Sequence, residues 1–192
     1  MPILQRRGKR MSKKDAGLAG IIAGDSAICT CGIKDETLRY RGYSIEDLAK
    51  YSSFEEVAFL LLHKRLPTKK ELNDYCNYLQ SLTSLPQPLL QLLENIPKNT
   101  CMMDVLRTAC SFLGNLEPEE DPKSLKSAER LLACFPSMLL YWYHFHYSNK
   151  KISLDTGENT ISGHFLYLLY QRKPEEHLRK CLDTSLILYA EH

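Results

Sequence analysis

The sequence predicts an all-α fold with one small β hairpin near its N-terminal side. Three observations predict it. From Tyr43 onward, apolar residues recur at helical spacing in one segment after another. Strand-like alternation is nearly absent over the same stretch. Residues 17–42 alone combine Gly, β-branched residues and short apolar runs, the composition of extended segments joined by tight turns.

The elements follow in order. Residues 1–16 carry Arg6, Arg7, Lys9, Arg10, Lys13 and Lys14. No aromatic residues interleave as stacking platforms, so a solvated, disordered basic tail is expected and no nucleic-acid partner. The hairpin is expected to end at LRYRG, residues 38–42. Ser44 precedes IEDLAKY, with Asp47 three residues on, as at a capped helix start. Phe54, Val57, Ala58, Leu61 and Leu62 form the next helical stripe, which Leu66-Pro67 breaks. Thr68 and Glu71 have capping-box spacing for the helix after it. Pro86 and Pro88 open a short helix that ends near Pro97, and Met103 to Leu113 forms another. LEPEEDPK, residues 116–123, reads as a surface turn. Leu125 to Tyr147 is the longest apolar-rich stretch, and Pro136 inside it should kink or split the helix. TGEN, residues 156–159, is a loop, and Thr160 or Ser162 opens a helix through Tyr170. Pro174 ends that segment, and Glu175 to His192 is the last helix.

Bulk properties exclude several classes of function. A net charge of +2 is too small to argue for nucleic acid or an acidic membrane surface. No apolar run is long enough to span a bilayer, and no N-terminal apolar stretch resembles a secretory signal. The 7 cysteines are odd in number and scattered, which reads as reduced thiols in a cytoplasmic protein. Cys29 and Cys31 form C-x-C, but no second pair follows to complete a metal site. His144 and His146, in YWYHFHY, lie two residues apart on a helix and cannot face one metal, so this stripe reads as core packing. His63 reads as a cap at a helix end, His164 as a satisfied histidine, and Cys110 and Cys134 as small buried residues. Residue chemistry alone stops at a helical domain with its site undefined.

Seven stretches in order carry more. GLAGIIAGDSAICTCG, LRYRGYSIEDLA, FEEVAFLLLHKRLPT, MDVLRT, SMLLYWYH, SGHFLYLL and SLILYAEH together resemble the citrate synthase family, from about Gly17 to His192. Within the family, the combination of MDVLRT, LLYWYH, SGHFL and YAEH is most similar to its 2-methylcitrate synthase branch. The resemblance implies a mostly helical homodimer, each subunit having a large helical domain and a small mobile one. It implies condensation of an acyl-CoA with oxaloacetate and no cofactor, since the acyl-CoA is a substrate. An aspartate base and an enolate-stabilising histidine suit so weak a carbon acid. In the branch named, the acyl donor is propionyl-CoA and the setting is propionate catabolism.

Residue by residue, His192 of YAEH matches the histidine that binds oxaloacetate, and Tyr189 matches the position beside the acyl group. Arg179 and Lys180 are candidates for meeting CoA phosphates. No catalytic residue is assigned, because the family's later histidines, arginines and aspartate have no counterpart in these 192 residues. The expectation is therefore that residues 17–192 are the N-terminal part of the large domain, without the small domain and inactive alone. One departure lies inside the match: Cys101-Met102-Met103-Asp104 stands where the family commonly has His-Pro-Met-Asp. Two alternatives accompany this reading, a citrate synthase using acetyl-CoA and a non-catalytic helical remnant or interaction protein.

Overall fold

The computed structural model describes residues 26–30, 38–121 and 124–191. The expected basic tail, Cys31 and His192 lie outside the described residues. Among those described, three short strands precede eight helices: β1 (Cys29–Thr30), β2 (Arg39–Tyr40), β3 (Tyr43–Ser44), α1 (Ile45–Tyr51), α2 (Phe54–His63), α3 (Lys69–Ser81), α4 (Gln87–Asn95), α5 (Met102–Leu116), α6 (Lys126–Ser148), α7 (Ile161–Tyr170) and α8 (Glu176–Tyr189).

The strands form an antiparallel sheet in the order β1-β2-β3. Tyr40 pairs with Cys29 on one side and Tyr43 on the other. Between Tyr40 and Tyr43 the turn has only Arg41 and Gly42, both with positive φ, +46° and +89°. A two-residue type I′ turn requires that geometry, and its twist matches that of the flanking strands. The sheet is therefore one strand larger than the expected hairpin. β3 escapes a periodicity reading because it is two residues long and Ser44 also caps α1, accepting from the Glu46 amide.

Helix starts follow local chemistry. Ser53 accepts from the Glu56 amide at the start of α2. At α3 the capping box is complete, with Thr68 Oγ1 accepting from the Glu71 amide and Glu71 accepting from the Thr68 amide. Thr160, rather than Ser162, caps α7 and accepts from the Gly163 amide. Helix α5 starts at Met102 although Cys101 gives no side-chain cap. The last helix is shorter than expected: it ends at Tyr189, where the Ala190 amide turns back to the Ile187 carbonyl and tightens the final turn.

Helix α6 runs unbroken through Pro136. Proline has no N–H for the Leu132 carbonyl. Packing outweighs that loss, since Ala133, Cys134, Ser137, Met138, Leu140, Tyr141 and Trp142 are all buried around it. Two apolar clusters meet on this helix. One gathers Leu89, Leu93, Val105, Ala109, Met138, Trp142 and Leu168 from α4, α5, α6 and α7. The other joins Tyr40, Leu48, Val57, Leu60, Leu79, Ala133, Ile161 and Ile187, tying the sheet and α1–α3 to α6, α7 and α8. The polar tips of the YWYHFHY stripe are absorbed by nearby backbone: Trp142 donates to the Ile96 carbonyl at 3.2 Å, and His144 lies 2.8 Å from the Leu168 carbonyl.

Candidate functional site

Helix α8 carries every described residue that the resemblance marks for substrate, and its anchoring is specific. Asp183 lies in the middle of α8 and is 8% exposed. Its Oδ2 accepts from the Phe54 amide at 3.2 Å, at the first turn of α2, and its Oδ1 accepts from the Ser162 hydroxyl at 3.3 Å. Glu55 is buried beside it, and its Oε1 accepts from the Ile161 amide at 2.8 Å, at the first turn of α7. The two carboxylates thus satisfy orphan amides at two helix starts, where negative charge is favoured. Glu55 Oε2 is buried with no hydrogen-bond partner. Burial raises the pKa of both acids above the ordinary carboxylate range, and Asp183 raises Glu55 further. Burial, reinforced by Glu55, also pushes the nearby Cys76 thiol up to about 11.

The expected residues are not gathered into one place by α8. Arg179 and Lys180 lie in its second turn. The Arg179 guanidinium makes two hydrogen bonds to Glu176, at 2.7 and 3.0 Å, and the Lys180 ammonium lies 3.8 Å from the same carboxylate. At 1.5 Å of rise per residue, Tyr189 is about 15 Å along the helix from Arg179. Tyr189 is 71% exposed. His192 directly follows Glu191, the last residue described. The N-terminal sheet reaches this end of the helix, and the Tyr40 hydroxyl donates to the Leu188 carbonyl at 3.1 Å.

The other histidines resolve into support. His164 is 2% exposed; its Nε2 lies 2.9 Å from Ser137 Oγ and its Nδ1 2.9 Å from Thr156 Oγ1. Burial drives its pKa down to about 4, so the ring is neutral and joins the loop before α7 to α6. Ser137 is fully buried, which denies that Ser–His pair any substrate. His63 does more than cap α2: it stacks on Phe59 at 4.1 Å and reaches buried Glu129 at 2.9 Å, linking α2 to α6. Among the described residues, no group of three His, Cys, Asp or Glu side chains could hold a metal ion. A cavity of about 560 Å³ lies between α3, α5 and the start of α6, lined by Leu82, Cys110, Leu113 and Arg130 among others, and none of the expected substrate residues lines it.

Sequence reasoning missed Glu55, Asp183 and Tyr40. A signal existed for the acids. Glu55 shares its helix face with Ala58 and Phe59, and Asp183 shares its face with Ile187, so each interrupts an apolar stripe.

The sequence profile described as "Citrate synthase, C-terminal domain" matches residues 17–192. This chain belongs to the citrate synthase family. A 2-methylcitrate synthase of Shewanella oneidensis is 46% identical to this family member over 178 residues, 92% of this chain and 48% of that protein. The chain spans about half the length of the curated relatives it matches. Among solved structures, a citrate synthase of Thermotoga maritima superposes with a TM-score of 0.79 at 30% identity, covering 95% of this chain and 47% of that one. A citrate synthase of Thermoplasma acidophilum, in a ternary complex with carboxymethyl coenzyme A and oxaloacetate, gives a TM-score of 0.78 at 23% identity and shares the fold. It covers 92% of this chain and 47% of that one. The helical architecture of this chain is thus the citrate synthase fold. No described helix is long and apolar enough to cross a membrane.

Proposed function

We propose that these residues form the N-terminal part of the large domain of a 2-methylcitrate synthase-type enzyme. The complete reaction joins propionyl-CoA, oxaloacetate and water into 2-methylcitrate and free CoA. The 46% identity to a 2-methylcitrate synthase across 92% of the chain carries this reading. In the reaction, a base takes the proton from the α carbon of the thioester, the enolate carbon attacks the oxaloacetate ketone, and water then cleaves the thioester to release the CoA thiol. His192 binds oxaloacetate, and Tyr189, exposed at the end of α8, borders the acyl group. Arg179 and Lys180 lie about 15 Å back along α8 and are both held by Glu176, so their contact with CoA phosphates requires release from that carboxylate.

These 192 residues contribute His192 to an oxaloacetate site that they cannot complete and do not turn over alone, because the family's later histidines, arginines and aspartate have no counterpart in them. The test has two parts. Isothermal titration of oxaloacetate into an enzyme that contains this segment should show saturable binding that His192→Ala abolishes. With the 192-residue chain alone, thiol release from propionyl-CoA plus oxaloacetate should stay at the uncatalysed rate. Binding unchanged in His192→Ala would overturn the site, and turnover by the 192-residue chain would overturn the division of labour. The acetyl-CoA alternative differs by one methylene in the donor, a discrimination of only about 1–3 kcal/mol. It is separated by comparing kcat/KM for the two thioesters in an enzyme that contains this segment.

A further inference from the structure

The small sheet holds the ends of two helices with one turn. Every α-helix leaves its last carbonyls without intrahelical partners. At the end of α2, the Leu61 carbonyl accepts two hydrogen bonds from the Arg41 guanidinium, from Nε at 3.0 Å and from Nη2 at 2.7 Å. At the end of α8, the Leu188 carbonyl accepts from the Tyr40 hydroxyl. Tyr40 and Arg41 are adjacent, and the type I′ turn sends one side chain to each helix. Tyr40 is 1% exposed, although its hydroxyl must reach the last turn of a helix 148 residues away. The Glu191 backbone amide also acts on that phenol oxygen and opposes the rise in pKa that burial causes. Tyr43, its cross-strand neighbour, is 45% exposed.

We infer that Tyr40 is a positioning residue for the final turn of α8: its hydroxyl, between the Leu188 carbonyl and the Glu191 amide, sets where Tyr189, Ala190 and Glu191 stand. The inference rests on the reading of that turn as the oxaloacetate end of the site. Tyr40 acts through backbone, by its bond to the Leu188 carbonyl. Its ring would keep its place in the apolar cluster without the hydroxyl, so Tyr40→Phe separates tethering from packing.

The test uses the full 192-residue chain as wild type, Y40F and Y43F. Amide hydrogen exchange, resolved by residue, should rise about tenfold or more at Ala190 and Glu191 in Y40F. Exchange in α2, α7 and the first half of α8 should stay within twofold of wild type, and Y43F should match wild type throughout. Unchanged exchange at Ala190 and Glu191 in Y40F would overturn the tether. So would a uniform rise along the whole of α8, which would mean general loosening. Oxaloacetate titration of an enzyme that contains this segment, as wild type, Y40F and Y43F, separates the two ideas. Binding weakened about fivefold or more in Y40F, with Y43F normal, supports a role in positioning substrate; equal binding in Y40F and wild type overturns that role. No binding by wild type, alongside the localised exchange change, refutes the oxaloacetate reading while supporting the tether.

Discussion

Acidification should weaken this fold through one histidine. His164 is buried and neutral between Ser137 and Thr156, with its folded-state pKa near 4 against an ordinary 6.5. The unfolded chain therefore takes up a proton at this residue at a higher pH than the folded chain does. The stability that His164 contributes is complete above pH 6.5 and is lost as pH falls toward 4. At 1.36 kcal/mol per unit, 2.5 units amount to roughly 3 kcal/mol, a large part of the stability of a typical domain. Urea unfolding followed by fluorescence of Trp142, the only tryptophan and fully buried, supplies the assay. His164→Gln cannot titrate. It should start less stable at pH 7.5, because one of the two hydroxyl partners is lost, and then lose about 3 kcal/mol less than wild type between pH 6.5 and 4. All other titrating groups are common to both proteins and cancel in the difference. Parallel stability curves for the two proteins would refute the reasoning.

Three further predictions concern the rest of the fold. Glu55→Gln removes a buried acid whose folded pKa is raised, so wild type loses stability as pH rises above about 4.5 and the variant does not; urea midpoints at pH 5 and pH 8 should shift in favour of the variant at the higher pH. Thr68→Ala breaks the capping box of α3 and should cost about 1 kcal/mol, read as a lower urea midpoint by circular dichroism. Gly163→Ala places a methyl 2.6 Å from Thr160 Oγ1 and 2.7 Å from Glu158 Oε2. Glu158 can swing away, but Thr160 can move only by giving up its cap on the Gly163 amide, so a loss of about 1 kcal/mol is expected in the same assay.

Legibility in the sequence followed the range of the interaction. Thr68 and Glu71 act on amides within three residues, and their spacing announced the start of α3. The helical stripes of α2 and α6 were equally plain. Pro136 misled because the local rule against proline in a helix competes with burial on several sides, and burial prevailed. His63 looked like a surface cap because Glu129, its partner, is 66 residues away. Asp183 and Glu55 showed as acids on apolar faces, but which amides they serve depends on α2, α7 and α8 converging. Family resemblance marked the end of α8 as the expected substrate end, while the tie to Tyr40 exists only in three dimensions.

The bonds that hold α8 also impose an order of events on the ribosome. Phe54 and its partner Asp183 are separated by 129 residues, and Tyr40 and Leu188 by 148. At about 5–20 residues per second, roughly 6–26 s pass between the emergence of α2 and that of α8. During that interval Val57 and Leu60 lack the Ile187 side that completes their cluster. The nascent chain therefore presents an unfinished apolar surface to its neighbours and to chaperones until α8 arrives.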